Sequence, residues 1–222
     1  MNQNNHAKTL YLVQLALLVS ITLLMALTPL GYIKTPVLSV TLLTVPVAVA
    51  AILLGPAAGA ICGFAFGMTS FVNALIGTGS VLLMGLLQIS PVLTFVVAVV
   101  ARVLVGLFTG LIFRGLYRIE KTRGLSYFIA SLCCPLLNTC LFMGFLMLFF
   151  FNSPAIQSSA EKFGTTNPFK LVILMVGTQG AIEAAICFVI ASAVSRILYG
   201  VLLKNGSIQG AAVKKEKVTA ES

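Results

Sequence analysis

Apolar residues in this chain come in long runs broken by short polar or Gly/Pro-containing stretches, the pattern expected where the surrounding solvent is lipid. The first run extends from Leu10 to Leu27 and is followed by Thr28-Pro29-Leu30-Gly31. It is longer than the apolar core of a signal peptide and lacks an Ala-x-Ala exit, so it is expected to be a retained helix. Residues 29–39, with Pro29, Gly31, Lys34 and Pro36, predict a loop. Val40 to Leu54 is a second, short span containing Pro46. A tight turn at Gly55-Pro56 leads into a third span, Ala57 to Ile76. Gly77-Thr78-Gly79-Ser80 opens another loop before a fourth span from Pro91 to Phe113. The fifth runs from Ser126 to Phe151, and the sixth from Phe169 to Leu203. A span of about 20 residues crosses the hydrocarbon core at ~1.5 Å per residue, which most of these satisfy and the second barely does.

The basic residues orient these spans. With the N-terminus in the cytoplasm, that side holds Lys8, Arg114, Arg118, Lys121, Arg123, Arg196, Lys204, Lys214, Lys215 and Lys217. The opposite side holds Lys34, Lys162 and Lys170, and Arg102 lies within a span. The positive-inside rule therefore puts both termini in the cytoplasm, in agreement with an even number of helices. The expected fold is an all-α integral membrane protein of six transmembrane helices. Its parts are a cytoplasmic segment 1–9, a six-helix substrate-binding domain 10–203 and a basic cytoplasmic tail 204–222.

Composition narrows the chemistry. Of 222 residues, 59% are hydrophobic and 9% charged, too little charge for a soluble domain of this length. The net charge of +9 does not point to nucleic acid, because the basic residues form short clusters between apolar runs. Five cysteines (Cys62, Cys133, Cys134, Cys140, Cys187) lie within apolar runs without a C-x-x-C pair, and His6 is the single histidine, so neither a zinc site nor a disulfide framework is expected. There is no aspartate, and hard cations need several carboxylates. Gly110 and Gly115 have P-loop spacing, but Leu116 follows where lysine is required. No catalytic residue, metal or cofactor is expected.

Residues that hydrocarbon should exclude carry the functional information. Arg102 lies mid-way along the fourth span and Glu183 mid-way along the sixth, each costing about 2.5–3.5 kcal/mol at mid-bilayer unless paired or hydrated. Asn138 lies in the fifth span, Gln179 one helical turn before Glu183, and Asn73 near the outer end of the third. At ~1.5 Å per residue these lie roughly 5 Å (Asn73), 15–18 Å (Arg102) and 20 Å (Asn138, Glu183) from the outer ends. A polar pocket opening outward would collect them; the bland alternative is an Arg102–Glu183 pair locking the bundle. One guanidinium holds a carboxylate in a fork, a carboxylate accepts from hydroxyls, and amides do both. A small anion with an amide and hydroxyls would satisfy every group. Phe66, Phe71 and Tyr32 are available for aromatic contacts, which are expected to be less central. Gly59, Gly63 and Gly67, repeated as Gly106 and Gly110 in the next span, are expected to let helix backbones approach.

The order and spacing of several stretches carry a resemblance over residues 10–203. They are Thr41-Leu-Leu-Thr-Val-Pro46, Leu54-Gly-Pro-Ala-Ala-Gly59, Gly63-Phe-Ala-Phe-Gly-Met-Thr-Ser70, Ala101-Arg-Val-Leu-Val-Gly106, Asn138-Thr139 and Gly180-x-x-Glu183. The chain resembles the substrate-binding S subunits of energy-coupling factor (ECF) vitamin transporters. That resemblance implies capture of a vitamin from outside, and a complex with a membrane-embedded T subunit and two ATP-binding cassette ATPases. It implies toppling of the S subunit in the membrane to deliver its ligand. Members carry an Ala-x-x-x-Ala patch for T-subunit docking; the matching positions here are Ala16 and Ser20, with serine replacing the second alanine. The pantothenate-specific type is the most similar, which implies Arg102 on the carboxylate, Glu183 on a hydroxyl, and Asn73, Asn138 and Gln179 completing the shell. The loop 29–39 would cover the mouth. The competing expectation is a stand-alone secondary transporter of a small organic anion; it has one intramembrane carboxylate to offer and no evident repeat.

Overall fold

A computed structural model describes residues 3–28, 31–34, 39–119, 123–153 and 185–194, with isolated positions between 156 and 197. Helix α1 is Gln3–Leu27, and strands β1 (Tyr32–Lys34) and β2 (Ser39–Thr41) follow. Next come α2 (Thr44–Leu53), α3 (Pro56–Ile76) and α4 (Val81–Ile89). Helix α5 (Pro91–Phe95), a π-helical segment (Val96–Val100) and α6 (Ala101–Tyr117) form one continuous apolar rod. Helix α7 is Arg123–Phe150 and α8 is Ala185–Val194.

Four helices among the described residues are long and apolar enough to cross a membrane: Lys8–Leu27, Pro56–Ile76, Pro91–Tyr117 and Ser126–Phe150. They coincide with the expected first, third, fourth and fifth spans, the fourth continuing one turn beyond Phe113. The expected second span is shorter than the sequence pattern indicated. Val40 and Thr41 belong to β2, and the ten residues of α2 cover ~15 Å, about half of a hydrocarbon core. Most of the expected sixth span lies outside the described residues, and its described part is α8.

Two features depart from the all-α expectation and from the loops. The segment 29–39 contributes β1, which pairs antiparallel with β2 in the register Tyr32↔Thr41, Ile33↔Val40, Lys34↔Ser39. The stretch before Pro91 forms α4, because Ser80 accepts a hydrogen bond from the Leu83 N–H as N-cap and Leu83 and Leu86 find a buried face.

Helix α3 is the centre of the bundle. Gly55 (φ 100°) and Pro56 start it, and Gly77 (φ 83°) ends it in the left-handed conformation, its N–H returning to the last turn. Its glycine stripe packs backbone to backbone on the antiparallel rod. A Cβ on Gly59 would lie 2.5 Å from the Gly106 carbonyl oxygen, one on Gly63 would strike the Arg102 carbonyl, and one on Gly67 would lie 2.7 Å from the Ala98 carbonyl oxygen. Without a hydrophobic driving force between helices in lipid, this close approach supplies the packing energy. Against α7 the rod packs through Phe113 and Tyr127, whose rings lie 5.1 Å apart.

The bundle has two distinct ends. One carries the β1–β2 pair, α4 and the turn after Phe150. The other carries the Gly55 turn, packed under the Arg114 guanidinium, and the Phe113–Tyr117–Tyr127 ring cluster.

Candidate functional site around Arg102

Arg102 enters α6 directly after the π-helical segment. There the Ala101 N–H reaches back five residues to Val96 instead of four, so the ladder holds one extra residue and the side chains on its two sides are re-phased. The Arg102 guanidinium curls back onto this widened turn, Nη1 donating to the Val97 carbonyl at 2.7 Å. Its carbon lies 4.3 Å from the centre of the Phe142 ring on α7 and 5.4 Å from that of Phe66 on α3. Arg102 is 6% exposed. Eleven residues from Pro91, it lies ~16 Å along the rod, near mid-bilayer depth. Stacking of the cation on desolvated rings offsets part of the cost of that burial.

Asn138 is brought to the same level. Arg102 and Asn138 each stand eleven residues, three helical turns, from the Phe113–Tyr127 contact that joins α6 to α7. Phe142, one turn beyond Asn138, completes the link by lying against Arg102. Asn138 is buried, and its Oδ1 makes no hydrogen bond among the described residues. A buried acceptor left unmade costs about 1–3 kcal/mol, so this oxygen calls for a donor that no described residue supplies.

Asn73 occupies a different place. It lies seven residues, ~10 Å, beyond Phe66 on α3, and its Nδ2 donates to the Ala26 carbonyl at 3.4 Å, tying the ends of α1 and α3. It also borders an apolar groove of about 460 Å³ between those helices. Gln179 and Glu183 lie outside the described residues. Ala16 and Ser20 are exposed on α1, the least buried of the four long helices. Cys134 and Cys187 face helices: the Cys187 Sγ is 2.9 Å from Thr44 Oγ1, and the Cys134 thiol donates to the Thr44 carbonyl at 3.6 Å. Thr44, the first residue of α2, thereby joins α7 and α8 next to the strand pair.

Of the aromatic residues given a minor part by the sequence, Phe66 touches Arg102 and Phe71 packs edge-on against Phe95, whereas the contact of Phe142 with Arg102 was not anticipated. Phe142 could have been found from its one-turn spacing to Asn138. The π segment had a single weak signal, the run of β-branched Val96, Val97, Val99 and Val100, which strains α-helical packing.

No curated protein matches the chain significantly. The family model described as the ECF transporter, substrate-specific component, matches residues 10–195. Four apolar spanning helices around a buried cation agree with a transport subunit. The chain belongs to this family: it is a multi-pass membrane protein that gives an ECF transporter its substrate specificity, works with T and ATPase subunits, and is not an enzyme.

Proposed function

We propose that this chain binds pantothenate at the Arg102 level and delivers it as the S subunit of a bacterial ECF importer in the cell membrane. The observation that carries the reading is the Arg102 guanidinium buried within a membrane-spanning helix, with Asn138 buried on the neighbouring α7 and its Oδ1 without a hydrogen bond among the described residues. Arg102 takes the carboxylate, for which a guanidinium fork is the matching shape. Asn138 accepts from the ligand's amide or a hydroxyl. Glu183 accepts from a hydroxyl, Gln179 and Asn73 complete the polar shell, and the β1–β2 segment covers the mouth. Six spans with both termini in the cytoplasm follow from the basic residues, and hydrolysis of ATP by the partner ATPases drives uptake.

The test is calorimetric titration of the purified chain with pantothenate, using Arg102→Ala as the variant. Wild type should bind tightly and the variant should not, while its melting temperature is kept; unchanged affinity in the variant removes Arg102 from the site. A second reading, in which Arg102 only locks the bundle, is favoured by its hydrogen bond to Val97 and its two aromatic contacts. Under that reading the same substitution unfolds the ligand-free protein and pantothenate gives no heat with either form.

A further inference from the structure

Hydroxyls in these helices commonly close on their own backbone. Thr22, Thr69, Thr94 and Ser192 each donate to the carbonyl four residues back, which satisfies a hydroxyl held away from water. Thr109 on α6 and Ser131 on α7 do not. Both are fully buried (0% exposed), and neither Thr109 Oγ1 nor Ser131 Oγ makes a hydrogen bond among the described residues. The two share one level of the α6–α7 seam. Thr109 stands one turn from Phe113 and Ser131 one turn from Tyr127, the residues whose rings lie 5.1 Å apart. At ~100° per residue, Thr109 points within about 40° of both Arg102 and Phe113, the α6 side chains that touch α7. Ser131 points between Tyr127 and Phe142, the α7 side chains that receive them. A third polar group belongs to the same level. Pro135 lies inside α7 and has no N–H to return to the Ser131 carbonyl four residues earlier.

We propose that this level of the α6–α7 seam binds one buried water molecule, shared by Thr109 Oγ1, Ser131 Oγ and the Ser131 carbonyl. Three otherwise unmatched polar groups are the usual complement of a buried water, and lipid supplies no alternative partner. Water accepts from the hydroxyls and donates to the carbonyl, so each group is satisfied at once. The ring contacts at Phe113–Tyr127 and Arg102–Phe142 set the helix separation on either side, and the small side chains of Thr109 and Ser131 between them keep room for a molecule of that size. A metal cation suits the place less well. Neither α6 nor α7 carries a carboxylate, and Arg102, seven residues or ~10 Å along α6, would repel a second positive charge. The water acts where α7 is divided. Pro135 separates the half anchored through Tyr127 from the half carrying Asn138 and Phe142, and the water ties that division to α6. The inference is independent of which ligand the chain carries.

The experiment melts the full-length, ligand-free protein as wild type, Thr109→Val, Ser131→Ala and the double variant, in one detergent. Valine has the shape of threonine without its hydroxyl, so the sign of the shift is the readout. A hydroxyl bonded to water is missed when removed, and each single variant should melt about 2–4 °C lower. The double variant should melt close to the singles, because either substitution already breaks the shared site. Single variants that melt above wild type overturn the proposal, since removing an unmatched hydroxyl from a dry seam is favourable. Losses that simply add in the double variant overturn it too, as two separate packing defects. Melting in sodium chloride and in choline chloride at equal ionic strength should agree; stabilisation by sodium that the double variant lacks assigns the site to a cation instead. A direct measurement needs no variant to fold. Brief X-ray radiolysis forms hydroxyl radicals from bound water, so buried Pro135 should be oxidised in the wild type, and absence of that label overturns the water.

Discussion

Substituting Gly59 by alanine tests whether backbone contact between α3 and the rod holds the site together. The new Cβ would lie 2.5 Å from the Gly106 carbonyl oxygen and 2.7 Å from the Ala51 Cβ. Ordinary contact begins at 3.4 Å, so the first approach is 0.9 Å too close. Neither neighbour is the end of a flexible side chain: one is backbone on α6, the other a Cβ on α2. The methyl group is therefore caught between two helices, and α3 must move away from one of them. Overpacking of this kind costs about 1–3 kcal/mol. Alanine returns about 0.5–1 kcal/mol of helix preference over glycine, so the net loss should be about 1–2 kcal/mol. Gly144 in α7 provides the control, since a Cβ there meets nothing within 4 Å. Gly144→Ala should keep only the favourable helix contribution. Thermal melting of the three proteins in one detergent should rank Gly144→Ala at or above wild type and Gly59→Ala clearly below. Gly59→Ala melting with or above Gly144→Ala would refute the close-approach argument. Because Gly63 abuts the Arg102 backbone in the same seam, Gly59→Ala should also weaken ligand binding more than its stability loss alone accounts for.

Asn138 and the exposed face of α1 give further checks. Asn138→Leu removes a buried acceptor that has no partner among the described residues, so the ligand-free protein should gain about 1 kcal/mol in stability while pantothenate binding falls sharply; a loss of stability with binding retained would contradict both halves. Ser20→Leu enlarges an exposed position on the α1 face matching the T-subunit docking patch, so it should reduce co-purification with the T and ATPase subunits and leave calorimetric ligand affinity unchanged. Intact co-purification would remove that face from the interface.

By itself, the sequence determined the solvent, the long helices and the small set of polar groups that lipid does not tolerate. Apolar run length and Gly/Pro punctuation are local properties, which is why the spans at Leu10–Leu27, Ala57–Ile76, Pro91–Phe113 and Ser126–Phe151 were legible within a few residues. The glycine stripe was legible for the same reason: four-residue spacing fixes a face whatever packs on it. Local pattern failed where partners set the outcome. Val40 and Thr41 look like membrane span but pair with β1, and the apolar Val81–Ile89 looks like linker but folds as a helix because Leu83 and Leu86 find a buried face. Tertiary structure alone decided what Arg102 touches. One extra residue in the π segment re-phases the rod, and the antiparallel register with α7 then brings Asn138 level with Arg102 and lays Phe142 against the guanidinium. That arrangement depends on the relative height and rotation of three helices, and neither quantity is written in any single helix's period.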